Sequence, residues 1–242
     1  MVNLLASELP WLTQSVLLLI TITTYITAVK INRLKGSLLW LHPIVLSSIA
    51  MLAILTLFEH SIEAYAQEVG LLTWLLGPAT CALAIPIFRH LRLIHQAGIK
   101  MILIICVGGL TGPLVTWLIL YAATAPDWLQ LSVLTKSITT PLAIDTSRLI
   151  GANPSLAAGI VILTGLLGVL VSGPIFRLFN IHDSSARGLA LGTASHAIGT
   201  AHAISLGEKT TAFATVALCI NGVATAILLP WIMSAFLPLS GT

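Results

Sequence analysis

A chain of 242 residues with 8% charged side chains, 57% hydrophobic ones and a mean hydropathy of +1.02 cannot cover a water-soluble surface. Ordinary soluble domains carry roughly 25% charged residues. Its net charge of +3 is scattered along loops and makes no basic footprint, which excludes a nucleic-acid partner along with a soluble enzyme or a disordered chain. The sequence reads as an all-α polytopic membrane protein, one membrane domain over 1–242.

A spanning helix needs about 20 predominantly apolar residues. The charges divide the chain into eight apolar segments, 11–29, 36–58, 69–88, 101–126, 128–147, 149–176, 188–207 and 210–240, of which six to eight are expected to cross. The first is read as a retained helix and not a cleaved signal, because Glu8 and no Lys or Arg precedes it. Lys30, Arg33 and Lys35 follow it. After the second comes a polar stretch with Glu59, Glu63 and Glu68, expected to form a short surface helix. The third, over 71–90, is interrupted by Gly77-Pro78 and Pro86 and is followed by Arg89, Arg92 and Lys100. The fifth, over 131–147, holds Lys136 and Thr139-Thr140-Pro141. The seventh, over 188–207, holds Gly192, His196, Gly199 and His202.

Proline removes a backbone donor and glycine loosens a helix, so these three segments are expected to be broken or re-entrant. Such backbone is tolerated at membrane depth where it is buried in protein or lines a wet cavity. The positive-inside rule places the N-terminus outside. Arg177 and Arg187 then fall on the wrong side if every segment spans. Re-entrant third and seventh segments remove that conflict but move Arg89 and Arg92 outside, so the topology stays open.

The halves, about 11–126 and 128–240, align with one another. Ala28–Gly36 matches Ala143–Gly151 and Leu76–Leu83 matches Leu191–Ile198, both at an offset of 115, and Pro43 matches Pro154 at 111. Cys106 and Gly109 match Cys219 and Gly222 at 113. Collinear matches at nearly constant offsets point to a duplication. Duplicated halves with interrupted helices are the signature of secondary transporters, whose sites lie near the bilayer midplane.

Lys136 has eight uncharged residues on each side and cannot easily snorkel if its segment spans. A lysine at the bilayer centre costs about 2.5–3.5 kcal/mol on insertion scales and needs a partner or an aqueous cavity. With Ser137, Thr139, Thr140 and backbone freed by Pro141 it suggests an anion site; an interfacial lysine meeting headgroups is the alternative. In Gly192–His202, Thr193, Ser195, His196 and Thr200 supply donors, and an imidazole can bind a carboxylate or take up a proton. The alternative is a packing helix whose His196 is satisfied by a neighbouring carbonyl. Asn221 either closes the same pocket or joins helices. Asp145 and Arg148, at i and i+3, and His202 are candidates for coupling or an ion pair. Pro78, Pro86, Pro141, Gly192 and Gly199 are the expected helix breaks.

No catalytic residue is assigned and the chain is not expected to be an enzyme. Adjacent Ser195 and His196 diverge by about 100° on a helix and cannot form a nucleophile–base pair. His196 and His202, six apart, have poor metal-ligand spacing. Cys81, Cys106 and Cys219 lie in apolar stretches with no CxxC, so no metal, disulfide framework or cofactor is expected.

Several motifs resemble the LrgB/CidB membrane protein family: Lys136-Ser-Ile-Thr-Thr-Pro-Leu-Ala, Ser147-Arg148, Pro154-Ser155, Ala186–Ala201, Ala212-Phe213 and Asn221-Gly222. The match is strong over about 130–235. The first half fits by hydrophobic layout and by Pro78-Ala79 with Ala82-Leu83-Ala84. The resemblance implies one of two roles. One is a carrier for small 2-hydroxy or 2-keto monocarboxylates such as glycolate, glycerate or pyruvate, as in the plant chloroplast glycolate/glycerate translocator. The other is a holin-like or antiholin-like protein that modulates murein hydrolase export and autolysis. The carrier is the first expectation. The resemblance also implies a bacterial cytoplasmic (inner) membrane location and a separate small LrgA/CidA-type partner, and a homo-oligomer is expected. The family usually has Arg at the position of His202 and often Glu at that of Ser205, an i,i+3 pair. The absence of both here suggests a bridge lost together, and if that Arg instead binds substrate carboxylate, a different substrate or pH dependence is expected.

Overall fold

The computed structural model describes residues 10–36, 41–82 and 84–236, and it divides into two compact units after Pro78. Leu83, the start of segment 36–58 over 37–40 and the end of the last segment over 237–240 lie outside the described residues.

In the first unit α1 (Pro10–Leu34) packs against α2 (Pro43–Leu57) and α3 (Ile62–Glu68). Pro43 opens α2 in the first turn, where its missing N–H costs nothing. The polar stretch after α2 forms a short helix as expected. Ser61 caps α3 by accepting from the Ala64 amide, and His60 Nε2 meets Glu68 Oε2 at 2.7 Å. Tyr65 is joined to α1 by a 2.9 Å bond between its hydroxyl and that of Thr21. Few side chains are buried (Leu17, Ala28, Met51, Leu55, Val69), and Leu19, Ile22, Ile26, Ile49 and Leu52 face outward, as on a surface solvated by lipid. α2 and α3 meet at 113°.

α4 (Gly70–Ala82), with Pro78 inside it, is followed by α5 (Ala84–Arg89), with Pro86 inside it; neither proline ends its helix, and Leu83 between them lies outside the described residues. In the second unit come α6 (Leu91–Ala122), α7 (Asp127–Ser132), a 3₁₀ turn (Val133–Thr135), α8 (Thr140–Leu149), α9 (Pro154–Leu178), α10 (Ser184–Ala203), a second 3₁₀ turn (Ile204–Leu206) and α11 (Glu208–Phe236). Met101 and Ile105 of α6 pack on Phe213, Val216 and Ala217 of α11. Phe176 of α9, Leu191 and Ala203 of α10, and Ala214 of α11 form a second cluster. Ile138, Ala143 and Val161 tie the α7–α8 region to α9.

Among the described residues four helices are long and apolar enough to cross a membrane: Trp11–Leu34, Leu91–Ala122, Pro154–Leu178 and Glu208–Ala235. The bent pair α2–α3 makes a fifth if it acts as one span. The chain is an all-α integral membrane protein, and the segments beyond those five are the three expected to be broken or re-entrant, of which 131–147 and 188–207 contain a break among the described residues.

α6 also contains a break that its sequence does not announce. Gly98 has φ 65° and ψ −167°, backbone that only glycine adopts without strain. A Cβ there would meet nothing within 4 Å, so the cost of a side chain is conformational alone. Gly98→Ala is expected to destabilise by about 1–3 kcal/mol, read as a lower thermal midpoint in detergent at unchanged monodispersity.

Candidate functional site

Two interruptions face each other inside the second unit. The first lies between α7 and α8. The Lys136 amide closes a tight turn on the Val133 carbonyl at 3.2 Å, and Ile138 does the same on Thr135 at 3.3 Å. Thr139 is extended (φ −72°, ψ 151°) and α8 resumes at Thr140 with Pro141 in its first turn. Proline has no N–H and fits only the first turn, so the helix restarts there and does not run through. Lys136 is half-buried; Ser137, Ile138 and Thr139 are buried. Thr139 Oγ1 is buried with no hydrogen-bond partner.

The second interruption is His196, at φ 40° and ψ −128°. The break therefore falls at the histidine and not at Gly192 or Gly199, which sit inside the two arms. The arms fold back on one another. A Cβ on Gly199 would touch the Leu191 carbonyl and Ser195 Cβ, and Ala203 shares a core cluster with Leu191. On a straight helix residues 191 and 199 would be about 12 Å apart. α10 is thus a helical hairpin with His196 at its tip. Its first arm, Ser184 to Ser195, is about 18 Å long at 1.5 Å per residue, too short to cross a hydrocarbon core of about 30 Å by itself.

Asn221 of α11 joins the two interruptions. Its Nδ2 donates to the Ser137 carbonyl at 2.7 Å and to the Thr193 carbonyl at 3.3 Å, and the residue is 2% exposed. Helix α6 makes room for this contact with a run of small residues. A Cβ at Gly109 would occupy the place of Asn221 Oδ1; at Gly112 it would lie 3.6 Å from Lys136 Nζ and 3.7 Å from Ser137 Oγ; at Gly108, 3.5 Å from Thr193 Cγ2. Lys136, Ser137, Thr193 and Asn221 therefore converge on one glycine-faced strip of α6. An apolar crevice bounded by Cys106, Gly109, Pro113, Leu134 and Leu228 runs up to Asn221.

The remaining candidates divide into three places. His196 Nε2 donates to the Val161 carbonyl of α9 at 2.8 Å, and Gly165 and Gly168 of α9 admit His196 and Ser195. Thr200 Oγ1 donates to the His196 carbonyl at 2.9 Å and lies 3.4 Å from that of Ala214, so it secures the hairpin's second arm. Thr140 is half-buried at the start of α8. Asp145 and Arg148 are more than half exposed and pair with each other at 3.3 Å, a helix-surface contact outside the cluster. His202 lies at the open end of the hairpin in a cleft with Arg177 and Arg187. The glycines of α6 and α9 were not among the expected site residues; their signal is the small-residue spacing Gly108-Gly109-x-x-Gly112 and Gly165-x-x-Gly168, which brings helices into close contact in membranes. Among the described residues no three His, Cys, Asp or Glu side chains gather in a metal-binding group.

The LrgB-like family model matches residues 21–235. The chain is 31% identical to YwbG of Bacillus subtilis (strain 168), over 90% of this chain and 96% of the relative. It is 33% identical to YxaC of the same organism, over 91% and 96%. It is 27% identical to the antiholin-like protein LrgB of Bacillus cereus (strain B4264), over 82% and 90%. No solved structure matches the chain.

Proposed function

The chain belongs to the LrgB-like family, and from that premise we propose that it is a carrier for small 2-hydroxy or 2-keto monocarboxylates such as glycolate, glycerate or pyruvate. One observation carries this reading: a half-buried amine, Lys136, beside two interrupted helices whose freed carbonyls are held by a single amide, Asn221. The ammonium supplies charge for a carboxylate, and a charge-assisted hydrogen bond is roughly twice as strong as a neutral one. Hydroxyls of Ser137 and Thr193 stand ready for the 2-hydroxy or 2-keto oxygen. Thr139 Oγ1, buried and unpartnered, is a further donor. The glycine contacts let one group of helices slide against another without breaking side-chain packing, which suits alternating access. No covalent step is needed, so the protein acts as a carrier and not an enzyme. It works in the bacterial inner membrane as a homo-oligomer with a small LrgA-type partner.

Reconstituted into proteoliposomes, the protein is expected to take up labelled glycolate or pyruvate saturably. Lys136→Ala is expected to cut uptake by about 10- to 100-fold, the factor for losing about 1.5–3 kcal/mol of hydrogen bonding to a charged group, while the thermal midpoint stays near wild type. Unchanged uptake removes Lys136 from the site.

The names of the Bacillus cereus relatives favour a second reading, an antiholin-like protein that modulates murein hydrolase export. That role predicts release of a large trapped dye from the same vesicles, insensitive to Lys136→Ala. Dye release without saturable carboxylate uptake decides for it.

A further inference from the structure

The open end of the α10 hairpin carries a second basic feature, separate from Lys136. Ser172 and Phe176 of α9, Arg177, Arg187 in the first turn of α10, His202 at the end of its second arm, and Leu206 enclose a cleft of about 250 Å³. Arg187 is built into it. Its Nε donates to the Ile181 carbonyl at 2.7 Å, and its guanidinium carbon stands 5.6 Å from the centre of the Phe176 ring. Among the described residues no carboxylate pairs with Arg177 or Arg187. The neighbouring Asp183 is committed elsewhere. Its carboxylate accepts the Ala186 amide at 2.8 Å, which chiefly holds its pKa below the usual carboxylate range, and Lys209 adds to that. In a chain with 11 Lys and Arg in all, two uncompensated guanidiniums and an imidazole around one cleft call for an anion.

The surroundings say which kind. Arg177 lies in the last turn of the spanning helix α9, flanked by Ile175, Leu178 and Phe179, the last two 75% and 68% exposed. Exposed large apolar residues beside arginine mark the boundary between acyl chains and headgroups, where basic pockets between helices hold anionic headgroups. Guanidinium matches the oxygens of a phosphate in a two-pronged bond. We propose that this cleft binds a phosphate group, presented by the headgroup of an anionic phospholipid whose chains lie along the exposed face of α9.

The test uses the full-length protein in mild detergent, titrated with phosphatidylglycerol, phosphatidylcholine or inorganic phosphate while thermal midpoint and native mass are followed. Phosphatidylglycerol is expected to raise the midpoint and remain bound, with phosphatidylcholine far weaker. Arg177→Gln and His202→Gln, both away from the Asn221 cluster, are expected to weaken the phosphatidylglycerol response, about fivefold for the guanidinium, which corresponds to about 1 kcal/mol for each basic residue near a charged lipid surface. A response to inorganic phosphate that the same substitutions abolish keeps the phosphate site and assigns it to a soluble ligand. Equal stabilisation by both lipids, a phosphatidylglycerol response that survives Arg177→Gln, or no response to any of the three overturns the proposal. If either variant does not stay monodisperse, the lipid comparison on wild type and the other variant decides.

Discussion

Asn221→Leu is expected to be among the most damaging single substitutions in the chain. Leucine keeps the volume but removes the side-chain amide that donates to both the Ser137 and the Thr193 carbonyl. Each buried acceptor left without a donor costs about 1–3 kcal/mol, and hydrogen bonds between membrane helices average about 0.6 kcal/mol with a maximum near 1.7. Two such bonds at a site 2% exposed put the loss at about 2–4 kcal/mol, a fall in thermal midpoint on the order of 10 °C for a chain of this size. Thr200→Val, which removes a bond within the hairpin's own arm and a 3.4 Å contact to α11, is the control and should cost much less. A midpoint for Asn221→Leu within 1–2 °C of wild type would contradict the bridging role.

Gly192→Ala is expected to be equally severe by a different route. A methyl group there would overlap the Ala214 carbonyl and come within 2.9 Å of Ala214 Cα, so the obstacle is the backbone of α11 and not a side chain that can turn away. Overpacking usually costs about 1–3 kcal/mol, and with no rotamer to relieve it the value should sit at the upper end. Gly108→Ala gives the contrast: its nearest neighbour is Thr193 Cγ2 at 3.5 Å, ordinary contact, so its midpoint should scarcely move. Comparing the two variants by thermal unfolding in detergent separates close helix contact from a general dislike of alanine. Equal behaviour of the two would refute the contact.

What the residues announce and what they hide follows from which forces act locally. The interruptions at 131–147 and 188–207 are legible because Pro141 and a run of small polar residues weaken a helix in isolation. The precise turning point is not. His196 takes a positive φ that its own preference opposes, and it is held there by the Val161 carbonyl and by Gly165 and Gly168 across the contact. Gly98 is hidden for the converse reason: between His95, Gln96 and Lys100 a glycine looks like loop, yet helix continues on both sides of it. Asn221 could be singled out as a polar residue in an apolar helix, but not its partners, because they are main-chain carbonyls and every residue has one. Asp145 and Arg148 show the limit from the other side: their i,i+3 spacing favours a helix-end pair without ruling out a coupling site, and their exposure settles it as a surface pair.

The doubled-back shape of α10 has a bookkeeping consequence for the whole chain. Arg187 near its beginning and His202 near its close border one cleft, so twenty residues enter and leave by the same door. However apolar that stretch is, it adds nothing to the odd-or-even tally of crossings, and α11 must set out from the side where α9 finished.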